Sequence, residues 1–331
     1  MDRAPLGRSR ALGLLAVALV LSMTTWFSAT AVVPQLRGEW GLSDTAAAWL
    51  TIAVQLGFVA GALVSSVLNL ADVLSTRAVL LTGAAGAATA NVLLVAAGSA
   101  AAAIPLRFAT GFFLAGVYPP ALKLMSTWFR RGRGTALGIL VGALTLGSAG
   151  PHLVNGLGAL DWRTVIFATS VLTLAGGVLA FTAVREGPYP FPRATFDPRQ
   201  ARLAFANRGV RLASLGYFGH MWELYAMWAW FGVFFAEAAG AGGSGPAYAT
   251  FAVIGVGALG CWAGGVLGDR IGRAETTAAM MAASGACAVS IGLLVGGPAW
   301  LVLVVGLVWG FTVVADSAQF STLVTEHADQ A

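Results

Sequence analysis

Long apolar stretches recur along the chain, parted by short polar segments. Ten are of crossing length: 11–33, 46–68, 77–97, 101–124, 134–157, 163–184, 211–236, 247–268, 275–296 and 299–322. About 20 apolar residues in a helix cross the ~30 Å hydrocarbon core of a bilayer. A segment surrounded by lipid must satisfy its own backbone hydrogen bonds, so each stretch is predicted to be helical. A β-barrel would instead show short segments of alternating polarity. The first stretch follows Arg3, Arg8 and Arg10 and exceeds the apolar core of a signal peptide, which predicts a retained helix.

The polar segments carry the orientation. With the N-terminus in the cytoplasm, sixteen of the nineteen Lys and Arg residues fall on the cytoplasmic side, leaving Arg37, Arg107 and Arg163. This is the asymmetry that membrane insertion produces. The longest connection, 185–210, holds Pro188, Pro190, Pro192 and Pro198. Its prolines oppose continuous helix, so it is predicted to link a six-helix bundle (1–184) to a second bundle (211–331). The halves echo each other: Asp72 and Asp269 follow the second and eighth stretches, and Gly111-Phe112 and Gly310-Phe311 sit in the fourth and tenth. Parallel repeats of this kind mark transporters. A full repeat needs twelve helices, so the second bundle is expected to be cut after its fourth helix.

Composition narrows the class. Only 10% of residues are charged and 58% are hydrophobic, against about 25% charged in soluble domains. The 43 glycines suit close helix packing. The net charge of +5 is confined to the segments between helices, which excludes nucleic acid as a partner. Cys261 and Cys287 lie in apolar runs and read as small buried hydrophobes. His152, His220 and His327 have no metal-ligand spacing, and neither a phosphate-binding loop nor a nucleophile elbow occurs. The expectation is a non-enzyme without cofactor or metal, driven by an ion gradient or by the solute gradient itself.

Four motifs sharpen this. Residues 264–273 read Gly-Gly-Val-Leu-Gly-Asp-Arg-Ile-Gly-Arg. The segment resembles the cytoplasmic gating motif of the major facilitator superfamily, with Gly265, Asp269, Arg270, Gly272 and Arg273 in the matching places. The first-half copy, with Asn69, Asp72 and Arg77, keeps the acid and one base but lacks the glycines. The fourth stretch has Arg107, Gly111 and Gly116, and the fifth has Gly138, Gly142, Gly147, Gly150-Pro151 and Gly156. The latter is similar to the glycine-proline motif of antiporters in that family. Asp161-Trp162-Arg163, before the sixth stretch, also fits the family. The resemblance implies an all-α, two-bundle fold working by alternating access. It also implies a central cavity lined by the first, fourth, seventh and tenth helices, and a motif turn that latches the outward-facing state.

Ionisable groups inside a bilayer are costly and are functional candidates. Glu223 lies near the middle of the seventh stretch, with His220 three residues earlier on one helical face. The pair is predicted to load and release a proton, with Asp316 as a further proton site. Arg107 is expected either to attract an anionic solute or to snorkel to the outer surface. Thr25, Trp26, Tyr118, Tyr225 and Gln319 complete the expected cavity wall. The function expected is a proton-coupled secondary transporter of a small solute, acting by alternating access in organic-anion uptake or in drug or metabolite efflux. The alternative is a non-transporting sensor or inactive paralogue. The partners expected are a small solute, protons and lipid, for a monomer in a bacterial inner membrane.

Overall fold

The computed structural model describes residues 7–129, 132–157, 160–189 and 206–328. Most of the expected linker (190–205) lies outside the described residues, as do the side chains of Asp72, Arg133 and His327. Among the described residues the fold is helical throughout, without strands. In chain order the helices are α1 (Arg8–Ser22), α2 (Ser28–Ala31), α3 (Val33–Trp40), α4 (Asp44–Val67), α5 (Leu70–Val73) and α6 (Thr76–Val92). There follow α7 (Ala100–Leu114), α8 (Tyr118–Ser126), α9 (Arg133–Gly156) and α10 (Trp162–Ala183). The last five are α11 (Arg208–Ala238), α12 (Gly245–Ile271), α13 (Arg273–Ile291), α14 (Ala299–Ala315) and α15 (Ser317–Ala328).

Nine helical segments among the described residues are long and apolar enough to cross a membrane. The seventh expected crossing, α11, is 31 residues long but is not among them. His220, Glu223 and a run of Tyr and Trp dilute its hydropathy. Three expected helices are interrupted. The first breaks between Ser22 and Ser28 around a 3-10 turn at Met23–Thr25. The fourth breaks before Tyr118, where Pro119 and Pro120 suit the first turn of a new helix. The tenth breaks at Asp316, between α14 and α15.

The chain divides into two compact units: residues 1–131 with 150–196, and 132–149 with 197–331. The first part of α9 thus groups with the second unit. Its glycines explain why: a Cβ on Gly138 would stand 2.7 Å from the Cys261 carbonyl oxygen, and one on Gly142 would stand 3.1 Å from that of Ala258. Only a helix face without side chains fits against α12 so closely.

Each unit contains the same helix crossing. In the first, a Cβ on Gly111 would lie 1.8 Å from the Val54 carbonyl oxygen, and one on Gly61 would lie 2.2 Å from that of Phe112. In the second, a Cβ on Gly310 would lie 1.8 Å from the Val253 carbonyl oxygen, and one on Gly260 would lie 1.9 Å from that of Phe311. Positions 54, 61, 111 and 112 and positions 253, 260, 310 and 311 differ by a constant 199. Backbone-on-backbone contact at one offset is a repeat at the level of packing. Asp72 and Asp269, 197 apart, fall two residues out of this register.

Local signals set the helix ends. Ser43 caps α4 by accepting from the Ala46 N–H at 3.2 Å, and Asn207 caps α11 through Gly209 N–H at 2.8 Å. Gly41, with φ at 60°, turns the chain out of α3. Glu39, near the end of α3, holds the start of α10. It accepts from Trp162 Nε1 at 2.6 Å and takes a two-pronged contact from Arg163.

Two predictions follow from this packing. Gly111→Ala or Gly310→Ala should cost about 1–3 kcal/mol or more through overpacking. Gly13→Ala, which meets nothing within 4 Å, should be neutral or stabilising; thermal unfolding in detergent distinguishes the cases. The second concerns Glu39, whose carboxyl is held below its ordinary 4.5 by hydrogen bonds from Arg163 and Trp162 and by the Arg163 charge. A depressed carboxylate stabilises the fold above its unfolded pKa, and that contribution disappears as pH falls through the folded value. The Tm difference between wild type and Glu39→Gln should therefore be present at neutral pH and vanish below 4.5.

Candidate functional site

In the first unit the polar residues of the broken first helix form a sealed network. The hydroxyls of Thr24 and Ser28 bond to nearby backbone carbonyls, which favours interruption of a helix. Thr24 Oγ1 donates to Leu21 O at 2.8 Å and Ser28 Oγ to Thr25 O at 3.0 Å. The break leaves carbonyls without helical partners, and Arg107 on α7 takes them. Its guanidinium donates to Thr25 O at 2.9 Å, to Trp26 O, and to Leu50 O on α4 at 3.1 Å. Asn91 on α6 locks the far side: its Oδ1 accepts from Ser28 Oγ at 2.6 Å, and its amide donates to Ser170 Oγ at 3.0 Å and Ile166 O at 3.2 Å on α10. Thr173 joins through Ser22 O at 3.1 Å and Thr25 Oγ1 at 3.3 Å.

This geometry corrects the expectations for Arg107, Thr25 and Trp26. Arg107 and Thr25 are 0% exposed and Trp26 is 2% exposed, so they do not form an open cavity wall here. Arg107 neither snorkels nor meets a carboxylate among the described residues, because the orphaned carbonyls of helix one occupy its donors. Trp26 packs against Phe58, ring centroids 4.8 Å apart. Tyr118 is half-buried at the start of α8. Asn155 on α9 donates to Ala31 O at 2.8 Å and accepts from Gln35 at 3.3 Å, so it binds helices together. His152 is buried with no hydrogen bond to its Nε2.

In the second unit the His220–Glu223 pairing is corrected. Three residues along a helix turn about 300°, and the two side chains point to different neighbours. Glu223 is half-buried and accepts from Trp309 Nε1 on α14 at 2.7 Å and from Ser284 Oγ on α13 at 3.3 Å. His220, 2% exposed, instead reaches the break between α14 and α15. Its Nε2 is 2.7 Å from Ser317 Oγ and its Nδ1 is 2.9 Å from Asp316 Oδ1. The Nδ1 contact has ion-pair distance but poor alignment, so Oδ1 has no hydrogen-bond partner among the described residues. Phe320 and Tyr217 cover the imidazole, each with a ring centroid within 6 Å of it. Tyr225 packs edge-on to Trp228.

The gating motif occupies the junction of α12 and α13. Gly272, at φ 104°, ends one helix and begins the next, a conformation that excludes side chains. Asp269 lies against the first turn of α9, accepting from Thr135 Oγ1 at 3.2 Å, where the helix dipole favours an anion. Gly265 passes the same turn, its Cβ position 3.3 Å from Gly134 O. Arg273 is 3.8 Å from Asp269 and donates to Gln319 Oε1 at 3.0 Å. Gln319, expected on the cavity wall, is fully buried and donates to Gly264 O at 3.1 Å, beside the 264–273 turn. Gly268 leaves room for it, since a Cβ there would meet Gln319 Oε1 at 2.3 Å. Arg270 is exposed. Gly147, Gly150 and Pro151 all lie within α9.

Sequence reasoning missed Asn91, Thr173, Ser284, Trp309, Ser317 and Thr135. Asn91 carried a signal, as an amide inside an otherwise apolar span; the others are common residues whose partners only the packing selects. Among the described residues no three His, Cys, Asp or Glu side chains are grouped to hold a metal.

Comparison with known proteins adds a family. The sequence profile of the Major Facilitator Superfamily matches residues 15–331. The puromycin resistance protein pur8 of Streptomyces alboniger is 30% identical over 147 residues, which cover 43% of this chain and 29% of that protein. The chain thus matches under a third of that relative's length. A bacterial homologue of the human lysosomal transporter Spinster, inward-facing and occupied, superposes with a TM-score of 0.67 at 16% identity, over 98% of this chain and 78% of that one. The proton:xylose symporter XylE, bound to 6-bromo-6-deoxy-D-glucose, superposes with a TM-score of 0.74 at 14% identity, over 97% and 82%. At these identities the likeness is one of fold.

The Arg107 network yields a direct test. Arg107→Met orphans buried carbonyls that each cost about 1–3 kcal/mol when unpaired. Arg107→Lys keeps a donor and should lose less. Thermal unfolding of the purified variants gives the order wild type, Lys, Met.

Proposed function

The chain belongs to the Major Facilitator Superfamily, and from that premise we propose that it exports a cationic, aromatic drug-like solute in exchange for protons. The observation that carries proton coupling is the buried Asp316–His220 pair at the break between α14 and α15. With a proton on the imidazole, Nδ1–H faces Asp316 and Nε2–H donates to Ser317, and the pair is neutral overall. When that proton leaves, Asp316 stays negative in an apolar setting and loses its counter-charge. A buried unpaired carboxylate is unfavourable by several kcal/mol, which provides a force to rearrange the break. Gln319, three residues on, would carry the movement to Arg273 and the Asp269 latch.

Substrate class rests on two further features. Arg107, which favoured anion uptake, is committed to helix one. Glu223 remains a half-buried carboxylate beside Trp309, a setting that attracts a cation with an aromatic body. The resistance function named for the Streptomyces relative agrees with export, as does the glycine-proline motif of α9. Glu223 is here a substrate contact, with Asp316 and His220 the proton carriers.

The test is pH change inside proteoliposomes challenged with cationic aromatic drugs and with organic anions. Wild type should move protons with the cations. Asp316→Asn and His220→Gln should each reduce coupled flux by about tenfold or more. Glu223→Gln should raise KM for the cation while leaving flux at saturation nearly intact. Proton movement driven by anions, or undiminished in Asp316→Asn, refutes the proposal.

A further inference from the structure

Where α6 begins and α10 ends, Ser75, Arg77, Arg185 and Glu186 line a cavity of about 330 Å³ in the first unit. It shares no residue with the Arg107 network, and of the motif positions it takes in only Arg77, the base of the first-half copy that lacks the glycines. We propose that it is a binding site for the phosphate headgroup of an anionic glycerophospholipid.

Charge is the first argument. Two guanidinium groups and one carboxylate leave the lining at +1, which complements the single negative charge of a phosphodiester. Guanidinium groups match phosphate oxygens in pairs. Among the described residues neither arginine makes an ion pair with a carboxylate of the protein, and Glu186, though it lines the same cavity, is not bonded to either.

Hydrogen bonds fix one arginine side chain and the backbone that carries the other. Arg77 is aimed by a hydrogen bond to Phe181 O at 3.2 Å and lies over the Phe181 ring at 5.7 Å. The segment bearing Arg185 and Glu186 is strapped to the end of α8. Trp128 Nε1 donates to Arg185 O at 2.9 Å, Gly187 N–H to Thr127 Oγ1 at 2.7 Å, and Tyr189 N–H to Thr127 O at 3.0 Å. Ser75 caps α6 with its oxygen, so its hydroxyl proton remains available to a phosphate.

The surroundings favour lipid over a soluble phosphate. Leu74, which precedes the lining residue Ser75, is 53% exposed, and Val178 and Phe181 on α10 are 45% and 38% exposed. Such a rim suits acyl chains running along the helices. Basic residues at the ends of membrane helices attract anionic lipids of the adjoining leaflet.

The experiment exchanges the purified full-length chain against mixed phosphatidylcholine–phosphatidylglycerol vesicles and reads retained lipid by native mass spectrometry. Wild type should keep phosphatidylglycerol in preference to phosphatidylcholine. The Arg77→Gln/Arg185→Gln double variant should retain about tenfold less phosphatidylglycerol. Glu186→Gln, at an exposed position with little folding risk, should retain more. Arg211→Gln, an exposed arginine of the other unit, should behave as wild type. Equal retention by the double variant, or an equal loss with Arg211→Gln, overturns the site. Displacement of the lipid by glycerol phosphate at matched concentration would also overturn it, because the cavity would then recognise free phosphate. None of these readouts depends on transport.

Discussion

The first unit depends on one requirement: a carbonyl freed inside an apolar bundle must find a donor. Helix one breaks at Met23–Thr25, and Arg107 supplies donors to Thr25 and Trp26 from α7 and to Leu50 on α4 at the same time. One side chain thereby ties three helices, while Asn91 and Thr173 bring in α6 and α10. A buried cation with no protein carboxylate is tolerated because dipoles surround it. Losing the arginine would expose the cost of the break, so the break and its arginine belong together.

The same logic of backbone contact, without charge, holds the repeated crossing. Gly111 on Val54 and Gly310 on Val253 let α7 meet α4 and α14 meet α12 at carbonyl distance. Lipid offers little hydrophobic drive between helices, so close van der Waals contact through small residues carries association. The two units then diverge where chemistry is needed. The first fills its broken helix with an arginine–asparagine network; the second places Asp316, His220 and Ser317 at the break in its tenth span.

That second break brings two hydrogen-bonded clusters together through a short stretch of chain. Asp316 faces the imidazole, and Gln319 holds Arg273 and the Gly264 carbonyl. A change of charge at one end of the stretch alters a hydrogen-bond set at the other. Asp269, seated on the first turn of α9, accepts from Thr135 and lies 3.8 Å from Arg273, so the polar contacts run on from Gln319 to α9.

The sequence by itself determined the class of the molecule, because lipid permits only self-satisfied helices and the spacing of apolar runs follows from bilayer thickness. It also determined the family, through the turn at 264–273, and the places where ionisable residues enter the apolar spans. Only the tertiary structure decided how those residues are used. Arg107 reads in one dimension as an anion site or a snorkelling cation, yet folding brings orphaned carbonyls to it. His220 and Glu223 read as a pair, yet 60° of helix rotation sends one to Asp316 and the other to Trp309. Gln319 reads as cavity wall, yet Gly268 clears a space that seats it on Arg273. Periodicity reports which residues share a helix face; which partner that face meets is set by residues a hundred positions away, and only packing brings those together.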